Sequence, residues 1–223
     1  MMIFKNFLNI KKKKAIKKDF LNLLKNQPQL FETLKPTYKY SYSKKKISKY
    51  KKFTSMRVIG MGGSILGTEA IYDFLKKKIK KKITFVNNLN SNADYFKDKG
   101  INLNLIISKS GNTLETIANA NTLIKNKDSS IIITENKDSY LTNLASQLKA
   151  EIFEHKNYVG GRYSVLSEVG MLPAELMNLN ESKFKQFNSL IKNKIFVNNL
   201  INNVAATLNL IKSGKYTSII LNY

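Results

Sequence analysis

The chain has 223 residues, no cysteine and a single histidine, which excludes a disulfide framework and any metal site built from thiolates or several imidazoles. Hydrophobic residues make up 43% of it, enough to bury a core and to exclude wholesale disorder. The net charge of +23 would suit a nucleic acid, but lysine supplies far more of it than arginine, alongside abundant asparagine and isoleucine. That pattern reads as a bias of composition. The lysine runs at 76–78 and 80–82 are expected in solvated helix ends and turns, and neither a nucleic-acid nor a membrane partner is expected.

No apolar run is long enough to cross a bilayer. The first residues place apolar side chains before lysines, the reverse of a secretory leader, so a cytoplasmic protein is expected. Residues 1–52 form a Lys-rich arm. Within it Ile16, Phe20, Leu23 and Leu24 recur at helical spacing, which predicts a helix over 15–26 with Pro28 and Pro36 bracketing its exit. Tyr38, Tyr40 and Tyr42 alternate with polar residues but run straight into lysines, so an irregular segment packed on the body is expected.

From Met56 the texture changes. MRVIGMGG reads as a buried strand ending in glycines, and SILGTEAIYDFLKKK as a helix. Further strands are expected at 83–88, 103–108, 129–135 and 150–155. The helices between them are expected at 91–99, 113–125 and from a cap at Asp138 to 148. Near-continuous apolar strands alternating with helices predict an α/β fold: a five-stranded parallel sheet flanked by helices on both faces. A glycine turn then leads into a helix over 166–178 with Pro173 inside it, and two more helices follow at 182–195 and 198–212. After Gly214, YTSIILNY at 216–223 reads as a new buried strand, which either pairs with an edge of the first sheet or, the favoured reading, opens a second domain that is absent.

Three stretches fall at the carboxyl ends of strands, where such sheets host ligands. ISKSGNTLET, 107–116, offers hydroxyls, a glycine for a tight turn and the start of a helix, which together suit a phosphate monoester. Asn112 and Glu115 have capping-box spacing. GMGGSILG, 60–67, fails as a dinucleotide fingerprint because Ile65 stands where the third glycine should. It fails as a triphosphate loop because Thr68 and Glu69, not Lys and Ser or Thr, follow Gly67. A tight turn with Ser64 at a helix start remains. In the third stretch Gly160 and Gly161 allow close approach of the backbone, and Arg162 adds a planar, permanently charged donor. Each stretch alone also reads as an ordinary turn, and Arg162 alone as half of a buried ion pair.

Taken together and in this order, VIGMGGSILG, ISKSGNTLET and YVGGRYSVLSEVGMLP resemble the glucose-6-phosphate isomerase family, most specifically through GGRYSVLS and the following VGMLP. The resemblance is clear over 56–177 and continues to the end of the chain. It implies two sugar isomerase (SIS) domains of flavodoxin-like build, of which this chain supplies the first at 53–155. An active-site loop and helical connection would follow at 156–213, with the first strand of the second domain at 214–223. It implies that Ser64, Ser108, Lys109, Ser110 and Thr113 hold the substrate phosphate, Lys109 largely through its backbone. Gly63 would line the sugar, and Gly161 and Arg162 would lie against the reacting carbons. The implied chemistry opens the sugar ring and moves a proton between C2 and C1 through an enediolate whose charge Arg162 stabilises, with no metal or organic cofactor.

The family's catalytic glutamate, ring-opening histidine and late lysine would lie beyond Tyr223, so the chain is expected to be an inactive fragment of a glycolytic and gluconeogenic homodimeric enzyme. Glu168 and Glu175 are expected to be solvent-facing or capping carboxylates, and His155 does not match the family's histidine. Two rivals stand beside this reading. One is another SIS-domain sugar-phosphate isomerase. The other is a non-catalytic sugar-phosphate-sensing regulator, which would need a DNA-binding module that 1–52 does not resemble.

Overall fold

The computed structural model describes residues 13–26, 29–89, 103–125 and 128–217. The expected helix at 91–99 lies outside the described residues, as does the expected terminal strand from 218 onward. By contacts the chain divides into a unit of residues 36–185 and a unit of 1–35 with 186–223. The segment 36–52 and the stretch 156–185 therefore belong with the sheet, whereas the sequence suggested boundaries at 52 and 155.

The larger unit is built on β1 (Ser55–Gly60), β2 (Lys82–Val86), β3 (Leu103–Ile107), β4 (Ser129–Thr134) and β5 (Glu151–Glu154). They form one parallel sheet in the order β2-β1-β3-β4-β5. Alternate residues feed two cores. Met56, Val58, Leu105, Ile107, Ile131 and Ile133 face one side. Ile59, Ile106 and Ile132 face the other, under Ala120, Leu123, Leu141 and Leu144. Burial on both faces is why these strands carry unbroken apolar runs. Truncating one of the fully buried isoleucines 131–133 to alanine costs about 2–5 kcal/mol, a large share of a domain's net stability.

The first core is covered by the Leu66–Leu75 helix, by the Glu168–Leu176 helix and by Tyr42, Ile47 and Tyr50 of the segment before β1. Every residue of Glu168–Leu176 is buried. Pro173 has no N–H for the carbonyl four residues earlier, that of Val169. Thr68 satisfies that carbonyl instead, its hydroxyl donating at 3.0 Å.

Local signals were displaced in three places. Ser139, not Asp138, caps the Tyr140–Leu148 helix, because Thr142 completes a reciprocal capping box with it. Lys81 is buried rather than solvated, and its ammonium donates to the Phe53 carbonyl. The two helices expected at 182–195 and 198–212 are a short turn, Glu181–Phe184, followed by helices Phe187–Lys192 and Lys194–Lys212. The last of these begins at Asn193, whose side chain accepts from the Ile195 and Phe196 amides. In the second unit, Lys194–Lys212 packs against the Lys13–Asn26 helix.

Candidate functional site

The sheet order reverses between β1 and β3, so the connections leaving these neighbouring strands diverge and open a crevice at their carboxyl ends. The 60–67 turn leaves β1 there and the 108–113 turn leaves β3 beside it. Gly60 pairs with Ile107 in the register of the two strands.

The first and third stretches touch directly. A β-carbon on Gly63 would lie 2.2 Å from the Gly161 carbonyl oxygen and 2.8 Å from the Arg162 amide nitrogen. One on Gly67 would meet the Val165 side chain at 2.8 Å. The Ser164 hydroxyl is directed at the carbonyls of Gly161, 2.6 Å away, and Gly63, 3.2 Å away. Ser64 closes the single turn Gly62–Ser64, half-buried, ahead of the Leu66–Leu75 helix. Arg162 sits in the turn Gly161–Tyr163 with its side chain exposed.

The second stretch is a hydroxyl-lined turn. Gly111 adopts φ +72°, and its amide donates to Ser108 Oγ at 3.2 Å. The Ser108 and Thr113 hydroxyls are 2.8 Å apart, and the Asn112 amide donates to Ser110 Oγ at 3.2 Å. Thr113 occupies the N-cap position of the Leu114–Leu123 helix, yet its side chain makes no capping hydrogen bond. The expected Asn112–Glu115 box does not form, because Asn112 Oδ1 accepts from the Tyr140 amide at 2.8 Å. The first-turn N–H groups of Leu114–Leu123 therefore lack a side-chain cap, which suits an anion. The helix dipole alone contributes about 0.3–1 kcal/mol at such an end. Hydrogen bonds to a charged phosphate contribute about 1.5–3 kcal/mol each, so the hydroxyls and amides dominate.

The Lys109 side chain reaches toward the third stretch. Its ammonium donates to the Asn157 carbonyl at 2.7 Å and lies 3.6 Å from Glu135 Oε1, tying the second stretch to the approach of the third. Its own carbonyl accepts from the Glu135 amide at 3.1 Å. Glu135 is held below the usual carboxylate range, first by its hydrogen bond to Lys137 and also by Lys109. His155 is buried just past β5, with Nδ1 3.1 Å from the Lys156 carbonyl, and burial lowers its pKa. Ser64, the 108–113 turn, Gly161 and Arg162 thus share one rim. No residue of these three stretches lines a cleft of about 500 Å³ bounded by Phe74, Leu75, Leu179 and Phe184.

Glu168 and Glu175 are not solvent-facing. Glu168 is fully buried and accepts from the Tyr38 hydroxyl at 2.9 Å and the Ser41 amide at 2.8 Å. Glu175 is 3% exposed and pairs with Lys44 at 3.3 Å and Lys51 at 3.2 Å. The residues that sequence reasoning passed over are Ser164 and the Tyr38–Ser41–Glu168 group. Ser164 stands inside GGRYS, and a hydroxyl beside two glycines was the available signal. The tyrosine and the glutamate are too far apart in the chain for any local pattern to pair them.

The phosphoglucose isomerase family model matches residues 8–213. A glucose-6-phosphate isomerase of Methanocaldococcus jannaschii is 32% identical over 93% of this chain and 56% of its own length. Another, of Onion yellows phytoplasma, is 37% identical over 55% of this chain and 33% of its own length. The chain thus spans about half the length of the first relative and a third of the second. A solved hypothetical protein from Thermus thermophilus shares the fold at a TM-score of 0.69 and 18% identity, over 91% of this chain and 53% of that one. With glycine turns and an uncapped helix start on one rim of the sheet, and a family match running through all three stretches, the chain belongs to the phosphoglucose isomerase family.

Proposed function

We propose that the rim is the phosphate-and-sugar half of an aldose-ketose isomerase site acting on glucose 6-phosphate and fructose 6-phosphate, in glycolysis and gluconeogenesis. The observation that carries this reading is the backbone contact of Gly63 with Gly161, which sets Arg162 on the rim that also bears the hydroxyl-lined turn. Ser64, Ser108, Ser110, Thr113 and the Lys109 backbone hold the phosphate. Gly63 and Gly161 leave room for the sugar. Arg162 faces C1 and C2, where its guanidinium offsets the negative charge that develops on the enediolate.

The groups that open the ring and move the proton come from the part of the relatives that this chain does not span. Alone, the 223-residue chain binds sugar phosphate without turning it over. The complete enzyme works as a cytoplasmic homodimer, with no metal, organic cofactor, nucleic acid or membrane taking part. The test is interconversion of the two sugar phosphates by the protein that carries this chain, followed by coupled assay. Arg162→Ala should cut turnover about 10²–10³-fold with the fold intact. Unchanged turnover in that variant overturns the role given to Arg162, and no interconversion by the unmodified protein overturns the reaction.

A further inference from the structure

The most unusual group outside the proposed contacts is the Glu168 carboxylate. It stands in the first turn of its helix, six residues after Arg162, with no exposed surface. A buried carboxylate is a poor choice for stability alone, since an apolar side chain of similar size serves as well or better. What it does instead is select partners. Both its oxygens lie within reach of the Tyr38 hydroxyl, at 2.9 and 3.3 Å, and one accepts the Ser41 amide.

Tyr38 and Ser41 belong to a strap that is itself fixed. The Ser41 hydroxyl donates at 3.0 Å to the carbonyl of Glu154, the last residue of β5. The Tyr38 ring meets Tyr40 edge-on, Tyr40 stacks on Tyr42, and Tyr42 meets Phe153 edge-on. The Lys185 ammonium lies 4.5 Å from the Tyr38 ring centre and 4.4 Å from that of Tyr40. From Glu168 a continuous set of bonds runs back to the glycines. Ser167 caps the helix and donates from its hydroxyl to the Ser164 carbonyl at 2.6 Å. The Ser164 hydroxyl in turn faces the Gly161 and Gly63 carbonyls.

We infer that Glu168 is a positioning residue for Arg162: its carboxylate pins the 38–42 strap beneath the 160–168 loop, and the strap fixes where the guanidinium stands on the rim. The inference rests on the proposed sugar-phosphate site for its functional consequence and on the bond network alone for its structural one. The strap is then part of the site although none of it reaches the ligand.

The test uses Tyr38→Phe, which keeps the ring and its stacking and removes only the hydroxyl. Amide hydrogen exchange in the folded chain should rise about tenfold across 161–167 and stay unchanged across 108–113, as expected when one bond to a buried charge is lost. Glucose 6-phosphate should bind about tenfold more weakly, while inorganic phosphate, which does not need Arg162, should bind as before. Glu168→Gln keeps one carbonyl oxygen for the Ser41 amide and offers the Tyr38 hydroxyl an N–H donor in place of the second oxygen, so a weaker neutral contact replaces the charged one and the variant should fall between wild type and Tyr38→Phe. Wild-type exchange at 161–167, or an equal rise across the whole unit, overturns the inference. If the unmodified chain binds no glucose 6-phosphate, the sugar-phosphate reading fails, and the exchange measurement alone decides the clamp.

Discussion

Gly63 and Gly161 meet backbone to backbone: the hydrogen that Gly63 carries in place of a β-carbon leaves the only room there is for the Gly161 carbonyl, 2.2 Å from where that carbon would be. Main chain lies on both sides of the contact, so no side chain can swing away to relieve an added methyl.

Gly63→Ala must therefore push the Gly161–Tyr163 turn off the first loop. The expected loss is about 1–3 kcal/mol of stability in thermal or chemical melts. Glucose 6-phosphate affinity should fall at least about tenfold by calorimetry, since a shift of about 1 Å is enough to misplace a contacting group. Wild-type affinity in this variant would separate Arg162 from the sugar.

Gly111 makes a second, independent demand. It holds a left-handed φ of +72°, and a β-carbon there would fall 2.2 Å from Ser139 Oγ, the hydroxyl that caps the Tyr140–Leu148 helix. Gly111→Ala is expected to cost about 1–3 kcal/mol, from backbone strain and a disturbed cap together. It should also weaken inorganic phosphate, because the Gly111 amide helps to orient Ser108. A denaturant melt and a phosphate titration on the same variant check both effects.

His155 sets an acid limit. Burial lowers its pKa, so between its folded pKa and about 6.5 the unfolded chain binds more protons than the folded one. Stability should therefore rise with pH up to about 6.5, level off above it and fall as the solution is acidified. The chain has only this histidine, so the slope between about pH 5 and 6.5 belongs largely to it. Melting temperatures across that range should show the slope in the wild type and a flatter line in His155→Asn.

The parts of this fold that could be read from the sequence are those fixed by short-range pattern. β3 and β4 are buried along nearly their whole length, so their apolar runs had one reading, and alternation with helices made the sheet parallel. The same alternation puts the three turns at the carboxyl ends of strands, on one rim. The contacts that long-range geometry decides were not legible. Asn112 looked like a cap for its own helix and serves the Tyr140 amide of the next one. Glu168 and Glu175 looked solvent-facing because a helix usually keeps one wet side. The segment before β1 covers that side with Tyr38, Ser41, Lys44 and Lys51. The Gly63–Gly161 contact left only the glycines themselves as a trace.

In the proposed site one hollow takes both the phosphate and the sugar. An amide NMR titration of this chain with glucose 6-phosphate decides whether it does. Saturable shifts are expected, with a single dissociation constant, at Ser64, across 108–113 and at Gly161 and Arg162. Inorganic phosphate should reproduce those at Ser64 and 108–113 but not those at Gly161 and Arg162. Shifts that follow different binding curves at the turns, or that fall away from all three, would contradict it.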